Sequence, residues 1–220
     1  MGRALVRLCA SHDACTVVAA VARRVEQRVV DGVPQFAPRE LHAVPVFDVA
    51  VDFSSPDAFD AILALCVKRG SGFVSGTTGL SDGQREALTA ASGRIPVLWA
   101  ANFSLGVAVL GDLVERAAAA LPAWDCDIVE THHTQKKDAP SGTALALGAL
   151  AQQGGVEPRY ASLRAGDIVG EHIVQLTGAG ERIELVHRAT SRDIFARGAL
   201  HAAARLAGRD PGEYRLRDLL

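Results

Sequence analysis

The densest group of residues able to do chemistry is Glu130-Thr-His132-His133-Thr-Gln-Lys136-Lys137-Asp138-Ala-Pro140-Ser141-Gly142-Thr143, where two histidines and two lysines fall within six residues. Histidine and lysine gain or lose protons near neutral pH when their surroundings shift them, and proton transfer requires such groups. Together they make a compact cationic field suited to an anionic substrate. Asp138 to Thr143 lead into an apolar helical run, Ala144 to Ala151, so the amides of Ser141, Gly142 and Thr143 fall at a helix N-terminus, where carboxylates bind. A histidine pair at a strand end is also an ordinary structural or surface feature. Zinc ligation finds less support: neighbouring strand residues point to opposite faces, no HExxH spacing exists, and no cysteine lies close in sequence. Ser141 precedes a helix rather than sitting in a GxSxG elbow, which argues against a nucleophilic serine.

The elements that must position this segment follow from periodicity. Leu5, Leu8 and Cys9 share one face of an opening helix, and Thr16–Ala22 reads as a strand. Strands over 47–53, 72–76 and 95–101 then alternate with helices carrying Phe59, Ile62, Leu63 and Cys66, and spanning 82–91. Strands of continuous apolar character between amphipathic helices predict a doubly wound, Rossmann-like α/β domain with a parallel sheet. After Ser104 come a long helix, a strand over 126–132 and the helix 144–151. The pattern then changes to strands at 160–164, 172–177 and 182–187, joined without helices, which predicts an α+β domain with one sheet face wetted or packed on a partner. A last helix, 193–207, and the tail after Pro211 return to the first domain. The domains expected are 1–104 with 193–220, and 105–192, with a ligand cleft between two lobes.

Composition narrows the classes. An apolar content of 49% supports a sizeable core, and 25 acidic against 23 basic residues leave no basic field for a nucleic-acid backbone. Apolar stretches such as Val17–Ala22 are too short to span a bilayer and the start has no signal-like apolar region, so a cytoplasmic protein is expected. Cys9, Cys15, Cys66 and Cys126 form no CxxC pair and read as reduced, structural thiols. Arg23 and Arg24 end the Thr16–Ala22 strand, where an arginine suits the 2′-phosphate of NADPH and an acid would suit NADH. A solvated basic strand end is the plainer alternative. Gly76-Thr77-Thr78-Gly79 follows a strand at the sheet edge where dinucleotides bind, although alone such a run is a common loop.

The run from Glu130 to Ala144 resembles the signature E-x-H-H-x-x-K-x-D-A-P-S-G-T-A of dihydrodipicolinate reductases and matches every fixed position. Gly76–Gly79, Ala101-Asn-Phe-Ser-Leu-Gly106, Arg164-Ala-Gly-Asp-Ile-Val-Gly-Glu-His172 and Phe195-Ala-Arg-Gly-Ala199 resemble the same family in the same order. The resemblance implies NADH- or NADPH-dependent reduction of a cyclic dicarboxylate, 4-hydroxy-tetrahydrodipicolinate, in diaminopimelate and lysine synthesis. It places His132 and Lys136 as the proton-donating pair, and His133, Gly142 and Thr143 on the substrate carboxylates. Gly76, Thr77, Thr78, Ala100, Ala101, Asn102 and Phe103 would lie at the nicotinamide end of the cofactor, with Arg23 and Arg24 at its other end. No metal is implied. A homotetramer is implied, formed through the sheet of the 105–192 domain.

Met1-Gly2-Arg3 resembles the close of that family's glycine loop, so the first strand and most of the loop are expected to lie upstream, and the strands beside it to lack a partner. The alternative reading is a non-catalytic, reductase-like metabolite-binding or subunit-interaction protein.

Overall fold

A computed structural model describes residues 1–220, which divide into two compact units, Met1–Phe103 with Phe195–Leu220, and Ser104–Ile194. The first unit opens with α1 (Gly2–Cys9), whose Leu5, Leu8 and Cys9 are buried. The expected strand over 16–22 shortens to β1 (Ala20–Val21), because only those two residues find ladder partners, Gln35 and Phe36. Those partners lie in β3 (Val33–Phe36), which forms a tight hairpin with β2 (Val29–Val30). Asp31 and Gly32 connect the hairpin, both at positive φ (51° and 77°), as a two-residue turn matched to strand twist demands.

Next come β4 (Val49–Asp52), α2 (Pro56–Arg69), β5 (Gly72–Ser75), α3 (Asp82–Ser92) and β6 (Pro96–Trp99). Pro56 occupies the first turn of α2, and a capping box starts α3, with the Gln84 amide donating to Ser81 Oγ at 3.3 Å. Phe59, Leu63 and Cys66 of α2 pack with Phe73, Val97, Leu88 and Ile95, and β5 is buried throughout, as a central parallel strand should be.

The second unit holds α4 (Leu105–Ala120), β7 (Asp125–His132), α5 (Gly142–Gln153), β8 (Pro158–Arg164), β9 (Gly170–Gly178) and β10 (Glu181–Ala189). Its sheet runs β10-β9-β7-β8, with β7 parallel to β8 and the other pairs antiparallel. Leu110, Val114 and Ala118 of α4 and Ala144, Leu147 and Ala151 of α5 pack on Cys126, Ile128, Val174 and Leu176. Both helices start with a capping serine joined to a histidine, Ser104 to His187 at 3.3 Å and Ser141 to His172 at 3.2 Å, and those histidines are cross-strand partners. At the other end a Cβ on Gly154 would lie 2.5 Å from that of Ala118, so the two helices run side by side in the same direction. No helix of the unit covers the opposite sheet face, where Leu163 (55%) and Val186 (39%) are exposed.

The chain re-enters the first unit through α6 (Asp193–Leu206) and β11 (Gly212–Tyr214), and β11 joins β6 in parallel. The Rossmann-like α/β class is as expected, but its strands form two hydrogen-bonded sheets, β2-β3-β1 and β11-β6-β5-β4, rather than one. β1 and β4 are each paired on one side alone.

α6 lies against the Phe103 backbone so closely that a Cβ at Gly198 would fall 1.7 Å from the Phe103 carbonyl oxygen. Gly198→Ala therefore should destabilise the protein by about 2 kcal/mol or more, lowering Tm by roughly 5 °C. Gly83→Ala, on the exposed first turn of α3, should leave Tm unchanged or slightly raised. Paired thermal melts check both, and equal melting of the two variants would contradict the packing described.

Candidate active site

Alternation along β7 directs Glu130 and His132 to the helix-covered face and Thr131 to the other. In register, His132 stands beside Arg164 of β8, and Glu130 beside His172 of β9. Glu130 is wholly buried, and a carboxylate there is tolerable only if its oxygens are filled. Arg164 binds it through Nη1 to Oε2 at 2.9 Å and Nη2 to Oε1 at 2.8 Å, His132 Nδ1 bonds Oε2, and the Ser141 amide donates to Oε1 at 3.2 Å. Burial pushes the Glu130 carboxyl up, yet hydrogen bonds from Arg164, His132 and Ser162 outweigh it and bring the pKa down to about 2. Glu130 is thus an anion at any physiological pH.

The loop after β7 is tied to the same guanidinium. Arg164 donates from Nε to the Lys136 carbonyl at 3.3 Å and from Nη2 to the Asp138 carbonyl. Lys136 is mostly buried and its Nζ bonds Asp138 Oδ2 at 2.9 Å, a contact that holds the Asp138 carboxyl below its usual range. His133 follows the strand end, half-buried. Ser141 caps α5 by accepting from the Ala144 amide at 3.1 Å, and its hydroxyl also bonds His172 Nε2. Gly142 and Thr143 form the first turn, Gly142 exposed with open space beside its Cα. Burial and the nearby His132, whose ring centroid is 5.2 Å away, depress the His172 pKa to about 4, so this imidazole is neutral. Beyond His132 Nε2 lies Gly170, where a Cβ would come within 3.0 Å of that nitrogen. No three His, Cys, Asp or Glu side chains gather in an arrangement able to hold a metal.

A second group sits at the carboxyl ends of β4, β5 and β6 in the first unit. Asp52, buried at 4% exposure, accepts from the hydroxyls of Ser54, Ser75 (2.9 Å) and Thr77 (2.8 Å). The Gly76 amide donates to the Asp52 carbonyl at 2.8 Å, and a Cβ on Gly76 would strike Phe53 at 2.2 Å. The loop after β6 joins this group through the Ala100 amide to the Ser75 carbonyl (3.1 Å), Trp99 Nε1 to the Thr77 carbonyl (2.8 Å), and an edge-to-face contact of Phe53 with Phe103.

The loop carrying Gly76, Thr77 and Thr78 thus meets the loop carrying Ala100, Ala101, Asn102 and Phe103, while His132 bonds Glu130 directly, Lys136 is tied to it through Arg164, Gly142 and Thr143 follow the Ser141 whose amide bonds it, and His133 stands at the strand end. Arg23 and Arg24 are exposed on the bend after β1, in the other sheet of the first unit. Sequence reasoning gave no role to Glu130, Arg164, His172 or Asp52. The spacing of Glu130 and His132, two apart on a strand, is the one local signal that could have paired them.

Two family profiles cover nearly all of the chain: "Dihydrodipicolinate reductase, N-terminus" over residues 1–103 and "Dihydrodipicolinate reductase, C-terminus" over 106–220. Among curated relatives, a 4-hydroxy-tetrahydrodipicolinate reductase of Stenotrophomonas maltophilia (strain R551-3) is 71% identical, over 100% of this chain and 93% of the relative. Those of Xanthomonas campestris pv. campestris (strain B100) and Xylella fastidiosa (strain 9a5c) are 66% and 61% identical with the same coverage. Among solved structures, the dipicolinate-bound dihydrodipicolinate reductase of Paenisporosarcina sp. TG-14 shares the fold at a TM-score of 0.83 and 21% identity, over 100% of this chain and 95% of that one. A C. glutamicum DAP dehydrogenase in complex with DAP follows at a TM-score of 0.60 and 15% identity, over 98% and 89%. The two profiles and the identities along the whole chain show that the chain belongs to the dihydrodipicolinate reductase family.

Proposed function

We propose that this chain reduces 4-hydroxy-tetrahydrodipicolinate to tetrahydrodipicolinate with NADH or NADPH, in the route to diaminopimelate and lysine. The observation that carries the reading is the clustering of His132, Lys136 and the α5 N-terminus around one buried carboxylate, in a chain that matches reductases of that name along its length. A solved neighbour is described as dipicolinate-bound, and dipicolinate is a ring dicarboxylate of the same kind as this substrate. His133 and the first turn of α5 at Gly142 and Thr143 hold the substrate carboxylates, using the partial positive charge of a helix N-terminus.

The residues at the ends of β4 to β6 suit a nicotinamide dinucleotide. Asp52 rigidifies the loop at Gly76, Thr77 and Thr78, and the small Ala100 and Ala101 beside Asn102 and Phe103 leave backbone within reach of a flat ring. Arg23 and Arg24 supply cations for a 2′-phosphate. A bound reduced nicotinamide supplies a hydride, and the substrate ring must then gain a proton. His132 and Lys136 deliver it: Glu130 orients the imidazole, and Lys136 carries an ammonium held ready by Asp138. Dinucleotide binding falls to residues 1–104 with 193–220, and substrate binding and self-association to 105–192.

The uncovered sheet face of the second unit joins copies of the chain into a homotetramer. Leu163 and Val186 are exposed there beside the ion pairs Arg159–Asp127 and Arg188–Glu171, and a sheet face mixing apolar and charged side chains is a usual seat of symmetric association. No helix is long and apolar enough to cross a membrane, and the four free cysteines suit the reducing cytoplasm, where we place the reaction.

Three outcomes test these statements. With the proposed substrate, the wild-type chain should oxidise NADPH, and Lys136→Ala should lower kcat at least about 100-fold while the NADPH Kd stays within about twofold. Absence of wild-type turnover, or near-normal turnover by the variant, would sink the assignment. Light scattering should return about four times the 23.1 kDa chain mass, and a monodisperse monomer would refute the tetramer.

The last outcome concerns acid stability. His172 stays neutral in the folded chain down to about pH 4, whereas unfolding returns it to its ordinary 6.5. Its contribution is whole above 6.5 and is lost as pH falls from 6.5 to 4, where the unfolded state binds the extra proton, up to roughly 3 kcal/mol. Glu130 adds a similar loss only between its ordinary 4.5 and about 2. His172→Gln should flatten the dependence of Tm on pH between 6.5 and 4.5, and an unchanged slope would show that His172 does not govern it.

A further inference from the structure

We propose that the buried Glu130–Arg164 pair is the positioning device of this reaction: the carboxylate fixes the His132 ring with Nδ1 carrying a proton and Nε2 directed outward, while the guanidinium holds the backbone that bears Lys136. The inference rests on the reading that His132 and Lys136 serve the chemical step.

Four observations support it. Glu130 has no exposed surface and, being ionised, can only accept, so the bond to His132 places a proton on Nδ1. The opposite nitrogen, Nε2, faces Gly170, whose missing side chain leaves that nitrogen uncrowded. Arg164 spends one fork on the carboxylate and still donates from Nε and Nη2 to the carbonyls of Lys136 and Asp138, which bracket the lysine loop. Glu130 Oε1 also accepts the Ser141 amide, so the same carboxylate locates the start of α5. One ion pair therefore sets the imidazole, the lysine loop and the helix N-terminus relative to each other. Lysine could not replace Arg164, because a single ammonium lacks the planar fork that reaches two carboxylate oxygens and two carbonyls together.

The test uses the full chain with nitrogen-15 NMR of the histidine rings beside steady-state kinetics. In the wild type, His132 should keep Nδ1 protonated toward Glu130 while Nε2 is the nitrogen that takes up and gives the delivered proton, and Lys136→Ala should leave that pattern unchanged. Glu130→Gln offers both a donor and an acceptor, so the ring should become a mixture of tautomers. Its kcat should fall at least about tenfold, with the substrate KM and NADPH Kd within about threefold. Should Glu130→Gln not fold, Arg164→Lys carries the test: it keeps the charge and the ring tautomer, frees the loop carbonyls, and should also lower kcat about tenfold or more. The proposal is overturned if either folded variant keeps kcat within twofold of wild type, or if the His132 pattern is the same in Glu130→Gln. An inactive wild type whose ring still changes in Glu130→Gln would instead count against the reductase reading, leaving the positioning geometry in place.

Discussion

A carboxylate with no exposed surface costs several kcal/mol unless its oxygens are occupied, and the second unit is organised around meeting that demand at Glu130. Two strands and the start of one helix each send a donor to the same two oxygens. Because the partners come from β7, β8 and the α5 start, the ion pair can form only when those elements are already in register. Removing any one partner would leave a buried charge short of a bond, which is more damaging than the loss of a surface pair. The cluster thus couples correct folding of the sheet to the geometry of the groups it presents.

The first unit meets a related demand with different chemistry. Asp52 is also buried at a strand end, but it is filled by hydroxyls from Ser54, Ser75 and Thr77 rather than by a cation. Hydroxyl donors are short and local, so they stiffen the loops immediately after β4 and β5, where the Gly76 backbone packs against Phe53 with no room for a side chain. An arginine at that place would reach further and would add a positive charge among small residues. In the second unit the longer reach of Arg164 is what spans from β8 to the loop beyond β7.

How much of this was legible in the amino-acid chain depended on whether the signal was local. The alternation of β4, α2, β5, α3 and β6 and the helices after Ser104 and Ser141 were readable because apolar spacing and caps repeat within a dozen residues. The β2–β3 hairpin carries a local signal too, Asp31-Gly32 between Val30 and Val33, but its flanks, two valines on one side and a single valine before Pro34 on the other, are too short to mark strands. Splitting of the parallel strands into two sheets had no local mark, since it depends on which strands find neighbours. The signature loop was recognisable by its residue types, whereas Arg164 and His172 lie 34 and 31 residues from the groups they bind, Glu130 and Ser141. A single arginine or histidine at a strand end has no pattern that announces a distant partner, and the same is true of Asp52.

The side-by-side course of α4 and α5 has an electrostatic consequence of its own. Two helices packed in the same direction align their dipoles, which repel, and their N-terminal partial charges add to about one positive elementary charge at one rim of the sheet. The two imidazoles at those caps are pushed toward neutrality by burial, so neither cancels nor reinforces that charge near neutral pH. The arrangement resembles a small capacitor charged during folding. Any anion that settles at the rim is drawn by both helix ends at once, so part of its binding free energy comes from a helix it does not touch.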